Sequence, residues 1–524
     1  MKGLGTRAYN ILFHTHTVSG IVISAVLFII FFAGALSLYK QEIYQWEDPS
    51  ARIPVVNNID FERLILRMDS VKAGVKKADE VRVRMPSEAH PVYTIYVPVE
   101  DSSGTEYATF VYNPVTDNIT ELFKGDGTTT GETLYRLHFL DQVPWYIGRY
   151  IAGFVSLFFA FAVITGLLIH WKNIVTKFYA FSFKKITKQF WTNTHTVFGI
   201  IGLPFQLMYA ITGAFYLLSI FILAPAVLIS FKGDQQKLIT KLYPPEAFHG
   251  HNEHQEFKEA AHMPVAAGIQ KIRGDYPGYN ISFLEIINPG KENASLGVDL
   301  VNSNAFNKDG MAVLDLHTGR YKLEIKPGEK TYVQSILGGI SKVHFATFGG
   351  WLLKALYFVL SLFTCMVIIS GVLMWKAARN KPAYTDRQRR FHHRVTMIYL
   401  AACFSLFPAT ALLFISEQLI PGGSGHARNV NTLFFLGWLL FAIIGYFLKT
   451  EKRVALYCLL LGGVLACGVP FANGIATGDW FWKTAISLPY VFTTDIVWLI
   501  TGVLSLVLAW AMRRPFHFAA LRSG

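Results

Sequence analysis

The stretch HTHTVSG at residues 14–20 returns as NTHTVFG at residues 193–199, and each copy leads into a long apolar run. Aligning His16 with His195 brings Thr17, Val18 and Gly20 onto Thr196, Val197 and Gly199. Without a gap, Gly34-Ala35 then falls on Gly213-Ala214. A histidine repeated at the same place in two membrane-length segments points to a duplicated membrane unit.

The repeat continues downstream. His138-Phe139 matches His344-Phe345, and Trp145 matches Trp351. After a one-residue gap, Arg149 matches Lys354, Ser156-Leu157-Phe158 matches Ser361-Leu362-Phe363, Gly166 matches Gly371, and Trp171-Lys172 matches Trp375-Lys376. Between the paired spans, each copy has a helix-like stretch (FERLILRM; EFKEAAHMPVAAGIQKI), then alternating strand patterns (VYTIYVPV; ISFLEII). Each also has a hairpin signal, NPVTDN from Asn113 and DLHTGR from Asp315. Residues 1–172 and 180–376 therefore read as two copies of span, small α+β segment, span.

Composition agrees. Of the 524 residues 52% are apolar and only 16% charged, against about 25% charged in a soluble chain. Disorder, a coiled coil and a disulfide-stapled secreted scaffold are excluded. The net charge of +13 does not mark nucleic-acid binding, because Lys and Arg gather in short segments between spans. The four cysteines, Cys365, Cys403, Cys458 and Cys467, lie in apolar runs without a CxxC pair or a CxxCH, so they read as packing residues and covalent haem attachment is out.

Eight spans are expected, near 16–39, 148–171, 195–231, 347–376, 394–416, 431–449, 453–471 and 491–512. The first is too long for a signal-peptide core and lacks a small-x-small site, so it reads as an uncleaved span. Basic groups before span 1 (Lys2, Arg7), between spans 2 and 3 (Lys172, Lys177, Lys184, Lys185, Lys188), between spans 4 and 5 (Lys376 to Arg394), after span 6 (Lys449, Lys452, Arg453) and after span 8 (Arg513, Arg514) all fall on one side. The positive-inside rule makes that side the cytoplasm, with both termini inside. The expected order is span 1 in 1–40, an outward α+β domain at 41–146, spans 2 and 3 in 147–231, a second outward domain at 232–340, span 4 in 341–376, and spans 5–8 in 377–524. Spans 5–8 read as a degenerate third part: His392-His393 stand where His16 and His195 do, and Thr501-Gly502 matches Thr165-Gly166. With no eukaryotic targeting signal, the expected setting is a bacterial inner membrane.

Histidines at the membrane are costly unless paired or ligating. Here His16 and His195 lie near the cytoplasmic ends of their spans, and His138 and His344 near the outer ends. Two inward imidazoles at one level suit bis-histidine haem ligation, and Ser19, Gly20 and Gly199 would let a flat macrocycle approach. The alternative is interfacial histidines bonded to nearby backbone. Arg149 and Lys354 follow the outer histidines by 11 and 10 residues; each cation could meet a haem propionate or snorkel to the interface. His170 and His393 are candidates for a third haem, and His14 reads as interfacial. Gly34, Gly166, Gly213 and Gly371 read most simply as helix-packing notches. His249, His251, His254 and His262 could bind metal, but lack a fixed ligand geometry.

This arrangement resembles the PepSY-associated transmembrane proteins. The resemblance rests on His16 with Gly20, LHFLDQVPWYIGRYIAG with His138 and Arg149, and VITGLLIHW, then His195 with Gly199, His344 and ISGVLMW, over about residues 8–376. Spans 5–8 exceed the four-span form and match longer, PiuB-like iron-regulated members. The resemblance implies PepSY-like outer domains and a di-haem inner-membrane reductase. Its two b-type haems would sit on His16 and His195 at the cytoplasmic side and on His138 and His344 at the periplasmic side. It implies reduction of a ferric siderophore or other Fe(III) chelate, with release of Fe(II).

The electron donor is not encoded: no GxGxxG follows a cytoplasmic strand, and GGSG at 422–425 lies in an outward loop. A separate reductase, a soluble flavin or quinol would supply electrons. Two rivals stand beside this reading. A permease for iron, chelate or haem predicts polar residues at mid-membrane, whereas these histidines cluster at the faces. A PepSY-type regulatory protein without redox activity needs no membrane histidines.

Overall fold

The computed structural model describes residues 5–72, 74–75, 78–101, 104–122, 129–144, 147–173, 188–242, 258–302, 306, 309–423 and 425–513. Its helices are α1 (Thr6–Ser37), α2 (Lys40–Glu47), α3 (Phe61–Val71), α4 (Thr130–His138), α5 (Ile147–His170), α6 (Lys188–Ile201), α7 (Leu203–Ser230), α8 (Gln235–Leu242), α9 (Val265–Asp275), α10 (Tyr332–Phe345), α11 (Gly350–Arg379), α12 (Asp386–Leu419), α13 (His426–Phe447), α14 (Glu451–Thr477), α15 (Phe481–Ser487) and α16 (Pro489–Arg513). The strands are β1 (Glu80–Arg84), β2 (Tyr93–Asp101), β3 (Gly104–Asn113), β4 (Asn118–Leu122), β5 (Asn280–Ile287), β6 (Ser295–Val301), β7 (Gly310–Asp315) and β8 (Tyr321–Ile325). The chain divides into two compact units, one of residues 1–47, 127–217 and 357–524, the other of 48–126 and 218–356.

Among the described residues, eight helices are long and apolar enough to cross a membrane: α1, α5, α7, α11, α12, α13, α14 and α16. They match the eight expected spans. The third differs in one respect, because helix is interrupted at Gly202 and His195 lies on α6 while α7 carries the spanning run. Pro204, next to the break, has no N–H to offer the preceding turn. Within the first unit α12 packs against α13 and α14, and α14 against α16. A Cβ at Gly502 would come within 2.6 Å of Cys467 Sγ and 2.8 Å of the Gly463 carbonyl. The Thr501-Gly502 match to the repeat therefore serves close helix packing. Cys365, Cys403 and Cys458 are buried and unbridged, as expected of packing residues, and Cys467 is half-buried.

The second unit is built on one antiparallel eight-stranded sheet in the order β4-β3-β2-β1-β5-β6-β7-β8. Each repeat copy supplies four strands and, to the core beneath them, one helix. The two outer segments, read from sequence as separate α+β domains, join at β1 and β5, where Arg82 stands opposite Glu285 and donates to it at 2.7 Å. The join removes two open strand edges. Both helices cover the same core: Phe61, Leu64 and Met68 of α3 and Ile269 and Ile272 of α9 pack with Val81, Ile95, Phe110, Leu284 and Leu296. Both expected hairpins form, and each opens with the same device. Asn113 Oδ1 accepts from the Val115 and Thr116 amides, and Asp315 Oδ1 from the His317 and Thr318 amides. These side-chain turns fix the β3–β4 and β7–β8 registers.

The outer histidines sit differently from expectation. His138 ends α4 and His344 lies at the end of α10, short helices that precede α5 and α11. In both copies the residue two positions on, Leu140 (φ 58°) or Ala346 (φ 53°), adopts the left-handed conformation. The next amide reaches back five residues, Asp141 to Arg136 and Thr347 to Lys342. This stop ends α4 at His138 and α10 one residue past His344.

Candidate functional site

His16 on α1 and His195 on α6 are brought together, with ring centroids 6.0 Å apart and planes inclined at 76°. Each is fixed by the helix behind it. His16 Nδ1 lies 2.9 Å from the Ala162 carbonyl of α5, and His195 Nδ1 lies 2.8 Å from the Val367 carbonyl of α11. These carbonyls are repeat partners, each four residues before a glycine. A Cβ at Gly166 would stand 3.0 Å from His16 Cε1, and one at Gly371 would stand 3.2 Å from His195 Cε1. A helix carbonyl already accepts the amide four residues on. Glycine at that position leaves room for the imidazole to donate to the same oxygen from the side. Thr165 and Ser370, just before the glycines, turn their hydroxyls back onto their own helices, including the Ala162 and Val367 oxygens at 3.1 and 2.9 Å.

The third histidine repeats the device. His138 Nδ1 lies 2.8 Å from the Ile30 carbonyl of α1, and a Cβ at Gly34 would come within 2.6 Å of that nitrogen. So Gly34, Gly166 and Gly371 seat imidazoles, where the sequence suggested helix-packing notches. Gly213, the repeat partner of Gly34, faces Ser156 Oγ at 2.9 Å from a built Cβ. His344 belongs to the sheet-bearing unit, where its ring meets Phe345 edge-on at 5.1 Å.

Since a carbonyl only accepts, Nδ1 of His16, His195 and His138 carries the proton, and Nε2 is left as the lone-pair nitrogen. That is the tautomer of a metal-ligating histidine whose other nitrogen is anchored by backbone. His16 and His195, with ring centroids 6.0 Å apart, are the residues that would hold such a metal. Gly20 and Gly199, one turn beyond these histidines, face open space: a Cβ there meets nothing within 4 Å. Donor set and adjoining room fit a flat iron macrocycle.

The remaining candidates are placed as follows. Arg149 donates to Asp141 at 2.5 Å and lies over the Phe139 ring at 5.0 Å, so its charge is engaged beside His138. Lys354 lies in the first turns of α11. His170 ends α5, one turn past Gly166 on the face that seats His16. His393 lies near Lys376 and the Lys449 backbone, while neighbouring His392 packs edge-on against Trp375 at 4.9 Å and Tyr384 at 5.9 Å. His14 borders a shallow hollow with Arg7 and Asn10. His249, His251 and His254 lie outside the described residues, as do Trp145, Lys177, Lys184, Lys185 and Arg514. His262 accepts from the Gly290 amide at 3.1 Å. The carbonyls of Ile30, Ala162 and Val367 were missed from sequence, since backbone atoms leave no residue signature; a glycine four residues on marks all three, and Thr165 or Ser370 precedes it for Ala162 and Val367.

The model for the PepSY-associated TM region matches residues 13–378. An uncharacterized protein of Pseudomonas aeruginosa is 23% identical over 342 residues, which cover 61% of this chain and 79% of that relative. With the matched segment carrying both repeat copies and all four candidate histidines, the chain belongs to the PepSY-associated TM region family.

Proposed function

We propose that this protein is a haem b-containing reductase of the bacterial inner membrane that carries electrons outward to reduce the iron of a ferric siderophore or similar Fe(III) chelate. The observation that carries the reading is the His16–His195 pair, 6.0 Å apart with each Nδ1 tied to a carbonyl of a different helix. His16 and His195 would hold the cytoplasmic-side haem, and His138 and His344 the periplasmic-side haem. His170 and His393 are the residues for a third. With both termini cytoplasmic, the sheet-bearing segments face the periplasm, where the chelate arrives.

Bound haem supplies one-electron transfer at a potential set by its axial ligands and burial. The chain's own residues do the rest. The Ala162, Val367 and Ile30 carbonyls fix the imidazole tautomers and planes, and Gly166, Gly371 and Gly34 give them room. Ligands near each face divide a hydrocarbon core of about 30 Å into shorter steps. No acid, base or nucleophile is required. Electrons come from a separate reductase, a soluble flavin or quinol.

The rival readings are a permease for iron, chelate or haem, and a regulatory membrane protein. Neither calls for the close approach of His16 to its repeat partner His195. The test is the visible spectrum of protein purified after haem-replete expression. A Soret band that sharpens with α and β bands on dithionite, and is reoxidised by a ferric siderophore, supports the proposal. A folded, colourless protein refutes it.

A further inference from the structure

The four C-terminal spanning helices match the repeat only at His392-His393 and Thr501-Gly502. Polar contacts tie them to the rest of their unit at α11, through Lys376 and Glu451, at α1, through Ser24 and Tyr399, and at α2 and α4, the short helices flanking residues 48–126. Helix α4 has nine residues, too few to hold its own position. Its Thr130, Thr133, Leu134 and Leu137 are all 4% exposed or less, and the two leucines belong to an apolar cluster with Leu413, Val430 and Phe434 of α12 and α13. Apolar contact alone lets a short helix slide or roll. Here two hydroxyls pin it: Thr130 Oγ1 donates to Glu417 Oε2 at 2.6 Å, and Thr133 Oγ1 donates to Asn431 Oδ1 at 2.6 Å. Glu417 is held from its other oxygen by His426 Nε2 at 2.9 Å, and Asn431 by donating to the Ala427 carbonyl. His138, the last residue of α4, points about a quarter turn from this docked face, onto the Ile30 carbonyl. A roll of α4 therefore moves the imidazole off its anchor.

We propose that spans 5–8 form a dock that fixes α4, with Glu417 and Asn431 as positioning residues acting through Thr130 and Thr133 on the outer ligand His138. The inference rests on the haem reading above. Hydroxyls are used because a buried donor facing one acceptor has a single register, which a greasy contact lacks.

The test is the double variant Thr130→Val, Thr133→Val, which keeps shape and removes both donors, with Thr133→Val alone as the milder form. Thr396→Val, a buried hydroxyl bonded only within α12, is the control. Haem content, reduction midpoints and low-spin electron paramagnetic resonance are read beside hydrogen exchange of residues 129–138. The signal lost in His138→Ala identifies the outer haem. The double variant should raise exchange in 129–138 at least tenfold and shift the outer midpoint and resonance, leaving the inner signals and the control unmoved. Unchanged exchange, faster exchange with an unmoved outer signal, or equal movement of both haems overturns the dock. A wild-type protein without haem removes the functional reading and this inference with it, and is recognised before any variant is made.

Discussion

His16 Nδ1 lies 2.9 Å from the Ala162 carbonyl, directly beside the missing side chain of Gly166. His195, Val367 and Gly371 repeat the relationship on the other copy. A methyl group at either glycine crowds an imidazole edge, and overpacking of a tight site costs about 1–3 kcal/mol. Gly166→Ala or Gly371→Ala should lower occupancy of the haem on His16 and His195 or broaden its spectrum, and lower the melting temperature of the haem-loaded protein. Full occupancy with an unchanged spectrum in both variants counts against glycine as the imidazole seat.

Gly34→Ala should act on the other tier. Its methyl would meet His138 Nδ1 at 2.6 Å, whereas the methyl of Gly213→Ala would meet Ser156 Oγ at 2.9 Å. Redox titration of the two variants should find the outer haem disturbed in Gly34→Ala alone. Equal disturbance by both would mean that the glycines act through general helix packing.

Removing ligands tests the pairing. His16→Ala and His195→Ala should each lose one haem equivalent of the same spectral component, and His138→Ala and His344→Ala should each lose the other. Pyridine haemochrome counts with difference spectra measure this. Unchanged haem in both His138→Ala and His344→Ala would refute the outer pair.

The repeat made much of the fold legible. His16 onto His195 gave the duplicated unit, and alternation at VYTIYVPV and ISFLEII marked β2 and β5. The NPVTDN and DLHTGR turns marked both hairpins, because Asx turns act over four residues and leave a local signature. Pairing of β1 with β5 was not legible: Arg82 and Glu285 are far apart in sequence, and periodicity within a strand does not name its neighbour. The break at Gly202 was masked by unbroken hydropathy through residues 195–231. The placement of His138 and His344 on separate short helices was hidden because Leu140 and Ala346 take the left-handed conformation without being glycine.

In the sheet, burial beside Glu285 and Asp309 lifts Asp299 from its ordinary 3.8 to about 6. The folded state then binds a proton that the unfolded state has released. Stability from this group is greatest at low pH and falls as pH rises from about 4 through 6. Asp299→Asn should therefore raise the melting temperature at pH 7.5, by a free energy on the order of 1–3 kcal/mol, with the advantage shrinking toward pH 4. A variant less stable than wild type at pH 7.5 would show that the carboxylate is needed for the Lys330 charge nearby.

Glu132 on α4 titrates in the opposite sense. Burial alone would raise its pKa, but Lys40 at 2.6 Å, Arg136 and Tyr44 bring it from 4.5 to about 2. Its contribution is complete above about pH 4.5 and is lost as pH falls toward 2. Glu132→Gln keeps an acceptor for Tyr44 but abandons the charge on Lys40, so it should loosen the α2–α4 pair at pH 7.5 by about 1–2 kcal/mol. Hydrogen exchange of residues 129–138 should be faster in the variant at pH 7.5, after correction for the intrinsic rate. The gap should narrow by pH 3, where wild-type Glu132 is already largely protonated in the opened state, and close only as pH falls to about 2. A gap of equal size at both pH values would place the effect in packing rather than in the ion pair.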